Sequence, residues 1–294
     1  MKILVTGSAG FVGSATANYL SKYHNVIGVD DLSFGNIKNV KHKFVRMSFN
    51  DLQTDYINEF DTLIHCATSN IIYSQDNPID TFINNAIYTC DLFERFKGQI
   101  IYTSTTSVYG NADTLPTPES QPLKLTNAYD TSKYVAEQYL QLRGDYTILR
   151  LSNVYGPGQR PDNPYCGVIG RLVNKALHNE PLTVIGDGKD TRDYTYIDDV
   201  VRAIDLVVES GPIYDILNIS GSVEYDINTI VTLITQSMPD IDLKIEHIEK
   251  RTIDKIKRRW IDNSRAKELI KWKPETDLFT GLLETIYWQK KKNL

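Results

Sequence analysis

Tyr129 and Lys133 lie four residues apart at the start of AYDTSKYVAEQYLQLR, a stretch rich in helix formers. At that spacing both side chains leave the same helix face, one turn apart. A tyrosine hydroxyl has a pKa of about 10 and is a poor base at neutral pH. Lowering that pKa by about three units takes roughly 4 kcal/mol of preferential stabilisation of the phenolate. An ammonium held beside it in a dry cleft supplies much of that. The pair could therefore take a proton from a substrate hydroxyl. The spacing alone is common on solvated helix faces, so the assignment depends on what the rest of the chain places around it.

The elements that would do so follow in order. KILVT (2–6) is a short apolar run of the kind buried in a parallel sheet. It leads into Gly7-Ser8-Ala9-Gly10-Phe11-Val12-Gly13 and then an amphipathic helix. Strand, glycine turn and helix together form a phosphate-binding context. Gly7 permits the tight turn, Gly10 lets a pyrophosphate approach the backbone, and Gly13 lets the helix pack on the strand. The helix N-terminus offers free N–H groups to an anion. A second strand, NVIGVD, ends in Asp30, placed to accept hydrogen bonds from ribose hydroxyls and to repel a 2′-phosphate. That selects NAD over NADP. Further strands are expected at 43–47, 61–66, 99–103 and 145–151, and a helix at about 78–97 that begins at Pro78. The apolar stripe of that helix suits a core or a dimer face. The strand at 99–103 runs into a hydroxyl cluster, Ser104 to Ser107, where ligands sit in open parallel sheets. The β/α alternation implies right-handed crossovers and a doubly wound sheet.

After residue 152 the texture changes. The stretch 153–165, with three prolines and two glycines, reads as a loop. Helices are expected at about 166–179, from 197, at 226–238, 263–270 and 278–290, and strands at 213–219 and 241–247. The 294 residues suffice for one large domain or two sharing a cleft. Net charge is −5 with basic residues dispersed, which argues against nucleic acid as partner. Three scattered cysteines and no paired histidines predict neither disulfides nor a metal site. No apolar run approaches the ~20 residues of a membrane span. MKILVTG enters a strand at once, unlike a signal peptide. A soluble cytoplasmic protein is the expectation.

In order and spacing, TGSAGFVG (6–13), VDDLSFG (29–35), HCA (65–67), TSTTSVYG (103–110), YDTSK (129–133), NVYGPGQ (153–159), GDGKDTRDYTYIDDV (186–200) and KWKP (271–274) resemble the extended short-chain dehydrogenase/reductases, and within them the nucleotide-sugar epimerases and dehydratases. The likeness spans nearly the whole chain. It implies an α/β fold: a Rossmann-type doubly wound parallel sheet over 1–152, to which 195–219 return, with a smaller C-terminal substrate-binding domain over 153–294. It implies Tyr129 as base, Lys133 as its electrostatic helper and nicotinamide-ribose ligand, and Thr105 as hydrogen-bond partner of the sugar 4-oxygen. Phe11, Val12, Asp31, Ser33, Ala67 and Asn85 join the glycines and Asp30 as cofactor residues. Thr106, Ser107 and Asn153 would face the substrate, and Arg192 and Arg251 would clamp its diphosphate. The resemblance also implies a homodimer.

The departures narrow the chemistry. Dehydratases of the family carry an acid pair where Thr106 and Ser107 stand, and its uronate decarboxylases carry a glutamate at the Ser107 position. Without those carboxylates, elimination lacks its proton donor and acceptor. Ser48, Asn70 and Tyr88 replace a more usual aspartate, lysine and glycine. A one-residue insertion puts the position associated with the sugar 2-substituent on or beside Arg259. The expected activity is NAD-dependent 4-epimerisation of a nucleotide-diphosphate sugar of the UDP-glucose or UDP-glucuronate type. The alternatives are 4-keto reduction, decarboxylation or dehydration, and a non-catalytic dinucleotide-binding role.

Overall fold

In the computed structural model, which describes residues 1–163, 166–250 and 256–292, the apolar runs pair as parallel strands. They are Lys2–Thr6 (β1), Asn25–Asp30 (β2), Lys43–Arg46 (β3), Thr62–His65 (β4), Gln99–Thr105 (β5) and Tyr146–Leu151 (β6). After Asn153–Tyr155 (β7), Leu182–Ile185 (β8) and Thr191–Tyr196 (β9), the chain returns with Asp215–Ile219 (β10). The seven-stranded sheet has the order β10-β6-β5-β4-β1-β2-β3 with every pair parallel. The strand order reverses between β1 and β4, which opens a crevice at their carboxyl ends.

The near-continuous apolar texture of these strands follows from burial on both faces. Successive side chains point to opposite sides. Ile3, Val5, Ile64 and Leu149 meet Ala17 and Leu20 of helix Phe11–Leu20 and Val200, Ile204 and Val207 of helix Ile197–Ser210. Leu4, Leu63, Ile100 and Ile148 meet Leu92, Phe93, Ala136 and Leu140 on the other side. This is the Rossmann-type sheet that the βα spacing predicts.

A third core gathers the C-terminal helices Val168–Leu177, Ile227–Ser237 and Leu278–Lys292 around Tyr194, Tyr196, Leu182 and Val184. Two small sheets accompany it. β9 lies between β7 and Glu224–Asp226 (β11), and β8 pairs with Ile245–Ile248 (β12). Phe11, Val12 and Ala15 of the first helix pack against this core, so the two halves share the cleft wall. Two expectations are corrected. Asn153–Tyr155 is strand rather than loop, because the first proline of its stretch is Pro157 and the three preceding residues are free to pair with Tyr194–Tyr196. The helix from Pro78 to Arg95 widens to π-type turns over Ile83–Tyr88, with Thr89 Oγ1 donating to Asn84 O at 3.2 Å. Such bulges concentrate at functional sites.

Helix Ala128–Arg143 starts where the Asn127 side chain accepts from Asp130 N (2.9 Å) and stops at Gly144, φ +85°. Lys133, Ala136, Glu137 and Leu140 form its buried face. Glu137 is fully buried and takes Arg150 of β6 in a two-pronged pair, Nε–Oε1 3.1 Å and Nη2–Oε2 2.6 Å. Ser104 Oγ also donates to Glu137 Oε1. Arg150 Nη1 reaches Tyr109 Oη (2.9 Å), which donates to Asn218 of β10 (2.8 Å). Removing one member strands a buried charge, at a typical cost of about 3–5 kcal/mol. We expect Glu137→Ala to lose that much in urea denaturation. Glu137→Leu combined with Arg150→Met should recover most of it. A single-variant loss below about 1 kcal/mol would contradict the assignment.

Candidate functional site

A cleft of about 710 Å³ opens at the carboxyl ends of the parallel strands. Gly7, Gly10, Phe11, Val12 and Gly13 line one side. Gly7 has φ +69°, and a Cβ there would sit 2.5 Å from Ala67 N. A Cβ on Gly13 would sit 2.1 Å from Gly7 O, so only glycine lets the first helix close on the β1–β4 crossing. Gly10 starts that helix without any side-chain cap, leaving the first N–H groups for an anion.

Asp30, Asp31, Ser33 and Ala67 line the next part of the cleft. Asp30 is held by Ala9 N (3.0 Å to Oδ2) and Leu32 N (2.8 Å to Oδ1). Each carboxylate oxygen keeps acceptor capacity for a ribose hydroxyl. Burial raises the Asp30 pKa, against the backbone hydrogen bonds that lower it. Exposed Asp31 instead accepts from Ser33 N (2.8 Å) and fixes the turn. Asn85 is only 1% exposed and sits one layer back. It accepts from Ser69 N (2.7 Å) and donates to Ser69 O (2.8 Å), so it fixes a cleft-lining segment rather than touching a ligand itself. An uncapped helix N-terminus beside a strand-end carboxylate fits a dinucleotide pyrophosphate and ribose.

The far end of the cleft is formed by Thr105, Tyr129 and Lys133. The Thr105 hydroxyl lies beside Tyr129 and pulls its pKa down. Thr105 Oγ1 already accepts from Ser107 N (3.1 Å), which leaves its proton for the tyrosine oxygen. Burial pushes the Tyr129 pKa up to about 12, and the neighbouring Asp130 carboxylate adds to this. Thr105 and Arg259 pull in the opposite direction. The expected effect of Lys133 is therefore corrected for this state. Its ammonium donates to Thr103 O (2.7 Å) and lies 4.3 Å from the centre of the Tyr102 ring, turned toward the sheet. Burial lowers the Lys133 pKa to about 8.

The substrate residues are less closely gathered. Thr106 and Ser107 are buried in the tight turn Thr106–Tyr109. Asn153 is half-buried at the start of β7, its Oδ1 sealed and without a hydrogen-bond partner. Arg192 is half-buried on β9 and donates to Thr191 O (2.7 Å). Arg251 lies outside the described residues. Asp130 and Arg259 are electrostatic neighbours of Tyr129; the resemblance put the sugar 2-substituent position on or beside Arg259 and gave Asp130 no role. Adjacency to Tyr129 was the available signal for Asp130, whereas Arg259 is masked in sequence by the basic run around it.

The sequence profile of the NAD dependent epimerase/dehydratase family matches residues 3–220. The chain belongs to that family. It is 32% identical to the UDP-glucose 4-epimerase of Mycolicibacterium smegmatis over the full length of both chains. It is also 32% identical to UDP-glucuronic acid decarboxylase 4 of Arabidopsis thaliana, covering 96% of this chain and 67% of the relative. Its fold matches the crystal structure of UDP-glucose 4-epimerase from Thermotoga maritima with UDP-glucose, with a TM-score of 0.93, 30% identity and full coverage of both. The cofactor of this epimerase/dehydratase family member is NAD. No helix among the described residues is long and apolar enough to cross a membrane.

The burial of Lys133 carries a stability cost that is measurable. With its folded pKa near 8 and an unfolded value of 10.5, the unfolded chain binds more protons between those limits. The cost is therefore fully present below pH 8 and fades as pH rises toward 10.5. Lys133→Met should gain about 2 kcal/mol at pH 7, the charge-burial cost less one hydrogen bond, while abolishing turnover. The stability gap to the parent should close by pH 10.5. Urea denaturation across that pH range checks both the size and the sign.

Proposed function

We propose that this protein interconverts the 4-epimers of a UDP-sugar, of the glucose or glucuronate type, through a transient 4-keto sugar. The observation that carries the reading is Thr105, Tyr129 and Lys133 gathered at the end of the dinucleotide cleft, with hydroxyls rather than carboxylates at 106 and 107. NAD, which the Gly7–Gly13 turn and Asp30 would hold, would supply a reversible hydride acceptor. Tyr129 takes the 4-hydroxyl proton and gives it back, so no net redox change occurs and no outside reductant is needed. Thr105 donates to the tyrosine oxygen and steadies the phenolate. Lys133, whose ammonium donates to Thr103 O in this state, would hold the ribose of the bound cofactor. Arg192 and the segment that carries Arg251 serve the diphosphate, so the sugar can rotate without leaving.

The likeness to the UDP-glucose 4-epimerases of M. smegmatis and T. maritima supports this reading. The A. thaliana decarboxylase relative supports a second one, oxidation at C4 followed by loss of carbon dioxide from a uronate. Ser107 weighs against it, since no glutamate stands there.

Mass spectrometry and NMR of products from UDP-glucose, UDP-galactose, UDP-glucuronate and their N-acetyl counterparts decide between them. Equilibration of a 4-epimer pair with mass unchanged is expected. Loss of 44 or 18 mass units, about one CO2 or one water, would transfer the assignment to decarboxylation or dehydration. Tyr129→Phe should reduce kcat by about 10²–10⁴ with bound NAD retained. Undiminished turnover in that variant would remove Tyr129 from the chemistry.

A further inference from the structure

The segment that leaves β7 passes over the start of the first helix. Gly158 takes φ +98°, and a Cβ there would lie 3.6 Å from the Phe11 ring. Gln159 Nε2 donates back to Val154 O (3.2 Å). Four residues further on, Asn163 Nδ2 donates to Phe34 O (3.2 Å), in the loop after β2. That loop is itself tied to the glycine turn by Asn36 N to Ala9 O (2.9 Å), and Phe34 meets Tyr73 edge-on with ring centres 5.0 Å apart. The stretch from Gly158 to Asn163 is thus anchored at Phe11 on one side and at Phe34 on the other.

Beneath it lies a cavity of about 490 Å³ whose walls include Gly10, Phe11, Ser33, Gln159, Arg160 and Asp162. Arg160 and Asp162 form a two-pronged pair there, Nε–Oδ1 2.9 Å and Nη2–Oδ2 2.6 Å. The arginine side chain is 14% exposed and the aspartate side chain 55%, so the acid can turn to water while the guanidinium stays over the cavity. A guanidinium carries five N–H groups, and one edge on Asp162 does not exhaust them. The same cavity holds the uncapped helix start at Gly10, with its free N–H groups. It also holds an acceptor, Gln159 Oε1, that is sealed from solvent and has no hydrogen-bond partner. A cation and a helix N-terminus in one cavity suit a phosphate, and ribose hydroxyls flanking that phosphate suit the acceptor.

The cofactor and the proposed substrate each carry a diphosphate, and position separates them. The cavity is walled by the glycine turn and by the loop that follows Asp30, whereas Thr105, Tyr129 and Lys133 line only the larger cleft. We propose that Arg160 is a ligand of the NAD diphosphate, and that residues 158–163 are a strap that slows the cofactor's departure. Asp162 holds the guanidinium in the protein alone and competes with the diphosphate for it once the cofactor is bound. The inference goes beyond the epimerase reading and holds for whichever sugar reaction the protein performs.

The test reads release of NAD from the holoenzyme, trapping freed cofactor with excess alcohol dehydrogenase and ethanol and following NADH absorbance. Arg160→Gln should release NAD about 10–100-fold faster than the parent, the scale of hydrogen bonds to a charged group. Arg160→Lys keeps the charge without the fork and should fall between the two. Asp162→Asn should release NAD more slowly than the parent, because a competing carboxylate is gone. A pair that merely fastens the loop would speed release equally in Arg160→Gln and Asp162→Asn, and that result overturns the proposal. Release from Arg160→Gln at the parent's rate overturns it too. Calorimetry with UDP provides a second arm. Equal affinities for the parent and Arg160→Gln are expected, and a loss confined to UDP would move Arg160 to the substrate's diphosphate and overturn the assignment. Neither arm needs turnover, so a failure of the epimerase reading leaves both results standing.

Discussion

The buried Glu137–Arg150 pair is the interaction on which the site depends most. Glu137 lies one turn beyond Lys133 and two beyond Tyr129 on a single helix, and Arg150 lies in β6, between β5 and the edge strand β10. Because the pair is two-pronged and dry, it fixes the rotation of the helix as well as its position. Ser104 and Tyr109 extend the grip to the end of β5 and the turn after it, the same short stretch that presents Thr105. The Thr105 and Tyr129 hydroxyls are therefore set by one polar network rather than by two independent elements. Such networks are costly unless every member is satisfied. Here Asn218 closes this one from β10, donating from Nδ2 to Thr117 O (3.2 Å) and Asp262 O (2.9 Å). The late return of the chain to the sheet is thereby tied to the catalytic geometry.

The cleft is electrostatically costly for both Tyr129 and Lys133. Burial raises the pKa of Tyr129 and lowers that of Lys133, so in the protein alone each is pushed toward its neutral form. A tyrosine near 12 is ionised to a smaller extent at neutral pH than one in water. The pull toward ionisation comes from the Thr105 hydroxyl and the Arg259 charge. Lys133 points instead at a backbone carbonyl. Proton abstraction here is thus a property of a filled cleft, where further charges and dipoles join these two.

Periodicity and turn chemistry made the parallel sheet, its crossovers and the dinucleotide end legible in sequence, because each rests on local rules. Gly7, Gly13 and Asp30 are readable from spacing since a tight turn, a close helix and a strand-end acid each need one residue type at one place. Asn85 was misplaced by a layer, because the widened turn that carries it depends on Thr89 and Ser69, which lie four residues and sixteen residues away. The strand at Asn153 was hidden by the prolines that follow it. The direction of Lys133 was not legible either. The i,i+4 rule gives the face of a helix, whereas the choice between Tyr129 and Thr103 O depends on a strand 30 residues earlier. Arg259 was hardest, since one inserted residue decides which of two adjacent arginines faces inward.

The same geometry supports the proposed inversion over elimination. Removing water from a sugar needs a carboxyl group free to give a proton and another free to take one. Positions 106 and 107 offer hydroxyls, and Ser107 spends its backbone N–H on Thr105. The acids electrostatically coupled to Tyr129 and Arg259 are Asp130 and Asp193. Asp130 has one oxygen holding the Thr126–Asn127 turn and the other sealed from solvent. Asp193 joins β9 to the segments at Gly221 and Ile261. Both act as struts of the fold, and releasing either to shuttle protons would loosen the turn or the strand that aims Tyr129 or Arg259. The proton traffic at this site is thereby left to Tyr129 and Thr105, which can move one proton out and back but have no partner with which to expel water.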